Sequence, residues 1–104
     1  MQHFRPPELA TYLQNHTPML LDVREPWEFE LCNLQNSQLI PMGHIPNQLE
    51  QLDAKQEIVL ICHHGIRSRQ VGLFLQSRGF DKLINLSGGL DAWAKEIDNQ
   101  MALY

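Results

Sequence analysis

A cysteine directly follows a run of apolar residues and opens a short loop that is rich in chemically useful side chains. The apolar run covers residues 58–61, and the loop begins at Cys62 and includes Gly65 and Arg67. Where a buried strand runs straight into a helix N-terminus, backbone N–H groups converge and the helix dipole favours negative charge. A thiol at this point is expected to ionise readily, because amide donors and a nearby guanidinium stabilise the thiolate. The pattern predicts a nucleophilic cysteine.

The rest of the loop supplies the expected substrate-binding groups. They are His63, His64, Gly65, Ile66, Arg67 and Ser68. Gly65 lets the loop adopt conformations that a Cβ forbids. Arg67 is expected to brace the loop or to contact an anionic substrate, and the two roles are compatible. One imidazole is expected to line the mouth of the site, partly cationic near neutral pH, while the other faces solvent.

The spacing within the loop limits the size of what it encloses. Four residues separate Cys62 from Arg67. Cysteine phosphatases place five residues between the equivalent cysteine and arginine, and that wider loop accepts a tetrahedral phosphate. The shorter loop suits a single additional sulfur atom on Cys62, which is a persulfide.

The surrounding pattern alternates short apolar runs with helix-like stretches. The runs that predict strands are residues 20–23, 37–40, 58–61 and 83–86, with 2–4 as a short edge strand. Runs of this kind suit strands that are buried on both faces of a parallel sheet. We therefore predict one α/β domain over residues 1–104, with a four- to five-stranded, mainly parallel sheet and helices on both faces. Ligands of such folds bind beyond the carboxyl ends of the strands, which here are Val23, Ile61 and Leu86.

Five helical patterns lie between these runs. They begin at Pro6, Pro26, Ile45, Val71 and Leu90. Trp27 and Leu31 fall on one face of the second helix, and Gly79 is placed to end the fourth. Aromatic residues at apolar positions are read as core: Trp27, Phe74, Phe80 and Trp93.

The ordered set of motifs resembles the single-domain rhodanese family of sulfurtransferases over nearly the whole chain. The motifs are Leu20–Glu25 with Glu28–Phe29, the loop Cys62–Ser68, Gly79–Phe80, and Asn85–Leu90 with Ala92–Trp93. The resemblance implies a Cys62 persulfide formed from a small anionic donor such as thiosulfate. The acceptor would be cyanide, a thiol or a sulfur-carrier protein, and no cofactor is implied.

One stretch departs from the family pattern. Many rhodanese domains carry Gly-His-Ile-x-Gly-Ala soon after Glu-Phe, whereas this chain has unrelated residues at 32–37. A Gly-His-Ile-Pro string occurs later, at residues 43–46, and we interpret it as leading into the third helix. The departure concerns the shape of a loop and leaves the nucleophile unaffected.

Three other positions and the histidine pair have alternative interpretations. Asp22 and Arg24 lie at the end of a predicted strand, and we expect structural support rather than catalysis from them. Cys32 is either a resolving thiol for Cys62 or a half-buried residue after the second helix. No metal site is predicted at the histidine pair, because adjacent side chains are expected to diverge and no second ligand pair has zinc spacing.

Composition narrows the class of protein. The chain has 104 residues, a net charge of −4 and only 8 Lys and Arg residues, which argues against nucleic acid and membrane surfaces as partners. Two cysteines are too few for a disulfide-rich secreted module, and the first residues contain no apolar signal core. We expect a cytoplasmic protein of undetermined oligomeric state.

Two other classes of function fit parts of the pattern. A phosphatase or arsenate reductase would use the same kind of cysteine loop, but the short spacing between Cys62 and Arg67 argues against it. A non-catalytic rhodanese-like module would bind a partner without chemistry, and it would not need a cysteine at this position.

Overall fold

A computed structural model describes all residues from 1 to 104. The strands are β1 (Gln2–Phe4), β2 (Met19–Asp22), β3 (Gln38–Leu39), β4 (Ile58–Ile61) and β5 (Leu83–Leu86). The α-helices are α1 (Pro6–Tyr12), α2 (Pro26–Leu31), α3 (Ile66–Ser77) and α4 (Gly89–Glu96). A 3₁₀ segment covers Met42–Gln51.

The strands form one all-parallel sheet in the order β1-β5-β4-β2-β3. Every residue of β4 and β5 is buried, as expected for inner strands covered on both faces. The predicted fold class is therefore confirmed, and the edge strand at residues 2–4 completes five strands. The order places β4, which leads into Cys62, in the middle of the sheet, with β5 and β2 on either side.

Two hydrophobic clusters cover the two faces of the sheet. On one face, Val71 and Leu75 of α3 pack with the 3₁₀ segment against the sheet. On the other face, Leu9 of α1 and Trp93 of α4 pack against it. The middle strand is thereby held from both sides, which fixes the point at which Cys62 leaves the sheet.

The third predicted helix is a 3₁₀ segment with an internal kink. Pro46 lies inside it, and Gln48 has a φ of −120° and a ψ of 18°, which are not helical angles. Proline removes one backbone donor and obstructs the preceding turn, so a regular α-helix cannot continue through it. The Gly-His-Ile-Pro string at residues 43–46 lies in this segment, as interpreted from the sequence.

The prediction that Trp27 belongs to the core is wrong. Trp27 is 60% exposed and Leu31 is 49% exposed, whereas Trp93 and Phe80 are buried as predicted. Phe74 is partly buried at the margin of the core. The short helix α2 buries its acidic residue Glu28 instead of its apolar face.

None of the helices combines the length and the apolar character that crossing a bilayer requires. The longest, α3, has 12 residues, whereas a span needs about 20.

Candidate functional site

The Cys62 thiol lies in a ring of donors between β4 and the start of α3. Cys62 is 1% exposed, and its Sγ accepts hydrogen bonds from the backbone N–H groups of Gly65 at 3.0 Å and Ser68 at 3.3 Å. Both amides belong to the first turn of α3 or its N-cap, so the helix dipole reinforces them. Two backbone donors thus converge on the Cys62 sulfur.

The side chain of Ser68 adds a third contact to the sulfur. Its Oγ lies 3.2 Å from Cys62 Sγ and donates to Asn85 Oδ1 at 2.5 Å. The side-chain oxygen of Asn85 faces the Ser68 hydroxyl, because Asn85 Nδ2 donates to the backbone carbonyl of Gly65 at 3.3 Å. Since the one hydroxyl hydrogen points to Asn85, the neutral Cys62 thiol donates its own hydrogen to Ser68 Oγ.

Two glycines permit the tight path of the loop. Gly65, the N-cap of α3, has a φ of +91°, and a Cβ there would lie 3.0 Å from the nitrogen of Gly88. A Cβ at Gly89 would overlap the backbone carbonyls of Cys62 and His63. The start of α4 therefore approaches the loop closely, and Leu90 N–H donates to the Cys62 carbonyl at 2.9 Å.

Arg67 is paired with a buried carboxylate. Its two terminal nitrogens donate to Glu28 Oε1 at 2.7 Å and Oε2 at 2.8 Å, a bidentate arrangement. The hydrogen bonds from Arg67 are the main reason that the pKa of Glu28 falls to about 2, against the opposing effect of burial. The same pairing raises the pKa of Arg67 above its ordinary value. Of the two roles expected for Arg67, the structure supports bracing directly.

A second guanidinium lies behind this pair. The side chain of Arg24 is fully buried and binds both carboxylate oxygens of Asp22, with Nη2 to Oδ2 at 2.7 Å. Burial opposes its charge, but the bonds to Asp22 and Tyr104 outweigh that effect and raise the pKa of Arg24. Asp22, the last residue of β2, is thus bonded to the guanidinium of Arg24, two residues further along the chain.

The two loop histidines face each other, which contradicts the expectation that they diverge. The ring centroids of His63 and His64 are 3.9 Å apart. His64 is exposed and His63 is partly buried. Burial, and then the charge of His64, lower the pKa of His63. A lowered pKa disfavours the cationic form of His63, the form that the sequence analysis expected for one of the two imidazoles.

One group of side chains has ligand types that metals use. The ligand atoms of His63, His64 and Asp91 all lie within 4.8 Å of one another. Asp91 is already paired with Lys95 at 3.0 Å, and its carboxylate is 3.9 Å from His64 Nε2. We assign no metal to this group, because its only carboxylate is engaged by an ammonium and His64 is largely in solvent.

The structure also gathers residues that the sequence analysis did not select for the site. Glu28, Asn85 and Tyr104 all bond to members or supports of the loop. Asn85 is the one polar residue in the apolar run of β5, and this signal could have identified it. Nothing near Glu28 or Tyr104 in the sequence indicates their partners. Cys32 ends α2 as a half-buried free cysteine, and its Sγ lies 3.8 Å from Arg24 Nη1.

A family model, several relatives and a solved structure that match this chain agree on one family. A family model described as a rhodanese-like domain matches residues 5–96. The putative sulfurtransferase YtwF of Bacillus subtilis is 42% identical over 77 residues, covering 74% of each chain. The thiosulfate sulfurtransferase GlpE of Pseudomonas fluorescens is 30% identical over 88 residues, covering 85% of this chain and 81% of the relative.

Larger relatives contain a similar segment as one part of their length. The probable adenylyltransferase/sulfurtransferase MoeZ of Mycobacterium tuberculosis is 33% identical over 102 residues. The match covers 95% of this chain but only 26% of that protein. Among solved structures, the rhodanese-like domain protein of Staphylococcus aureus superposes with a TM-score of 0.84 at 32% identity, covering 93% of this chain and 95% of that one.

Proposed function

Because the chain belongs to the rhodanese-like domain family, we propose that it is a sulfurtransferase that carries sulfur as a persulfide on Cys62. Sulfurtransferase activity is supported by relatives that bear this name and match most of the chain. Thiosulfate as donor is the finer part of the proposal, and it rests on the name of GlpE and on the size of the loop.

The observation that carries the proposal is the pair of amides on the Cys62 sulfur. Gly65 N–H and Ser68 N–H both donate to Sγ, and the sulfur has no basic side chain among its hydrogen-bond partners. Fixed dipoles of this kind stabilise an anionic sulfur without reorganisation. A separate general base is then unnecessary for activating the thiol.

The reaction consists of two displacements. The Cys62 thiolate attacks the outer sulfur of thiosulfate, a new S–S bond forms, and sulfite leaves with the electron pair of the broken S–S bond. A thiophilic acceptor then attacks the terminal persulfide sulfur and releases the Cys62 thiolate. Each step exchanges one sulfur between nucleophiles, so no cofactor or external electron source is needed, and ping-pong kinetics are expected.

The partners follow from this chemistry. We propose a small anionic sulfur donor, and as acceptor a thiol or a sulfur-carrier protein. A free thiolate nucleophile functions in a reducing compartment, so the cytoplasm is the proposed location.

The proposal is tested by intact mass after incubation with thiosulfate. We expect the wild-type chain to gain one sulfur atom and Cys62→Ser to gain none. Cys32→Ser is the matched control, since it removes the other thiol, and it should gain sulfur like the wild type. Subsequent addition of cyanide should remove the sulfur and yield thiocyanate.

Two other results would replace the proposal. Turnover of an aryl phosphate without sulfur uptake would indicate a phosphatase that uses the same cysteine. If the protein shows neither sulfur uptake nor phosphate turnover, the remaining interpretation is a module that binds a partner without chemistry.

A further inference from the structure

Tyr104 lies far from the loop in sequence and touches both of its ionic supports. Its hydroxyl donates to Glu28 Oε2 at 2.7 Å and accepts from Arg24 Nη1 at 2.9 Å. Glu28 in turn holds Arg67. One hydroxyl therefore connects the buried guanidinium behind the site to the guanidinium of the loop.

The hydroxyl completes the hydrogen bonding of Arg24. The other N–H groups of that guanidinium are directed at the carboxylate of Asp22 and at the carbonyls of Glu28 and Cys32. A guanidinium has five donors, and a buried donor without a partner is costly. Tyr104 supplies the remaining oxygen acceptor, at 2.9 Å from Nη1, whereas the Cys32 sulfur lies at the longer distance of 3.8 Å.

The same hydroxyl completes the hydrogen bonding of Glu28. Its carboxylate accepts two bonds from Arg67, one from the backbone N–H of Glu25 and one from Tyr104. Four bonds fill the accepting capacity of a carboxylate. The pKa of Tyr104 rises to about 12, mainly because the side chain is partly buried. The hydroxyl therefore keeps its hydrogen throughout the neutral range.

The ring of Tyr104 makes a separate contact with the loop. Its centroid lies 4.0 Å from that of His63, with the planes tilted by 37°. The ring also meets the exposed Trp27 in an edge-on arrangement, with centroids 5.8 Å apart. Tyr104 thus covers one residue next to the nucleophile with its ring and orients another, through Glu28, with its hydroxyl.

We propose that Tyr104 is a positioning residue for sulfur transfer, holding the loop residues Arg67 and His63 in place on either side of Gly65. The inference rests on the proposed function, because it assigns these two loop residues to the binding of the incoming anion. Loss of the hydroxyl should weaken donor binding and have little effect on the later transfer step, in which the sulfur is already covalently attached.

The test separates the hydroxyl from the ring. Tyr104→Phe should raise the KM for thiosulfate about three- to tenfold, the size expected for a lost hydrogen bond to charged partners, with kcat changed less than about twofold. Leu103→Ala is the matched control, because Leu103 is the exposed neighbour, and its KM should equal that of the wild type. Unfolding curves of each variant establish the folded fraction.

The ring is tested by an NMR titration that requires no turnover. The titration midpoint of the His63 C2 proton should rise in Tyr104→Ala, because the imidazole regains solvent, and should stay near the wild-type value in Tyr104→Phe. A merely structural role would lower stability without this difference between the two variants.

The outcomes distinguish the two proposals. If the wild type forms the persulfide and Tyr104→Phe has an unaltered KM, the positioning role is wrong. If the wild type takes up no sulfur, the proposed function fails. In that case the His63 titration still decides whether the Tyr104 ring covers His63, and an unchanged midpoint in Tyr104→Ala overturns the inference.

Discussion

Arg67 donates to both carboxylate oxygens of Glu28, a residue 39 positions earlier in the chain. The fixed positive charge of the Cys62–Ser68 loop is therefore already paired within the protein. Glu28 is buried in α2, so the ion pair ties that short peripheral helix to the first turn of α3. The orientation of Arg67 depends on this pairing.

Removing the charge of Glu28 should destabilise the fold. We expect Glu28→Gln to lower the free energy of unfolding at pH 7 by about 1–3 kcal/mol, because a buried charge-assisted pair is replaced by neutral hydrogen bonds. Urea unfolding measures the change. Glu30→Gln, an exposed change on the same helix, is the control and should fall within about 0.5 kcal/mol of the wild type.

The contribution of this pair should depend on acid pH. The pKa of Glu28 is lowered from 4.5 to about 2, chiefly by hydrogen bonds from Arg67. A lowered carboxyl pKa contributes stability above the unfolded pKa and loses it as the pH falls toward the folded pKa. The stability gap between the wild type and Glu28→Gln should therefore shrink from pH 4.5 toward pH 2. A gap that stays constant over this range would contradict the assignment.

The hydroxyl of Ser68 should affect the reactivity of Cys62, the proposed nucleophile. When Cys62 ionises, this hydroxyl can turn from Asn85 to the sulfur, because a hydrogen bond to an ionised acceptor is the stronger one. We expect Ser68→Ala to slow alkylation of Cys62 by iodoacetamide at pH 7, by up to about tenfold. Ser77→Ala, at the exposed end of the same helix, should react at the wild-type rate. An equal or faster rate in Ser68→Ala would show that the hydroxyl does not stabilise the thiolate.

The two tryptophans should differ in their contribution to stability. Trp93 is 9% exposed within a core cluster, so Trp93→Ala should cost about 3–5 kcal/mol. Trp27 is 60% exposed, so Trp27→Ala should cost less than about 1 kcal/mol. Thermal or urea unfolding of the two variants provides the comparison, and equal losses would argue that Trp27 is buried in solution.

The apolar runs were sufficient to predict the sheet, because inner parallel strands are apolar on both faces. The prediction that Trp27 belongs to the core failed, since the spacing of Trp27 and Leu31 identifies an apolar face but not whether anything covers it. The third helix was mispredicted because Pro46 converts an apolar stripe into a 3₁₀ segment.

The site was predictable in its local part only. Cys62, Gly65 and Ser68 are close in sequence, so the strand, loop and helix that join them dictate their contacts. Glu28 contacts Arg67 across 39 residues of sequence, and Tyr104 contacts Glu28 across 76 residues. Contacts of that separation depend on the whole topology, which a single sequence does not specify residue by residue.

The backbone hydrogen bonds between α4 and the Cys62–Ser68 loop link the geometry of the candidate site to local unfolding. Leu90 N–H donates to the Cys62 carbonyl at 2.9 Å, and Asp91 N–H donates to the His63 carbonyl at 3.0 Å. These two amides can exchange with deuterium only when the start of α4 separates from the loop. Their exchange rates therefore report how often the surroundings of Cys62 open.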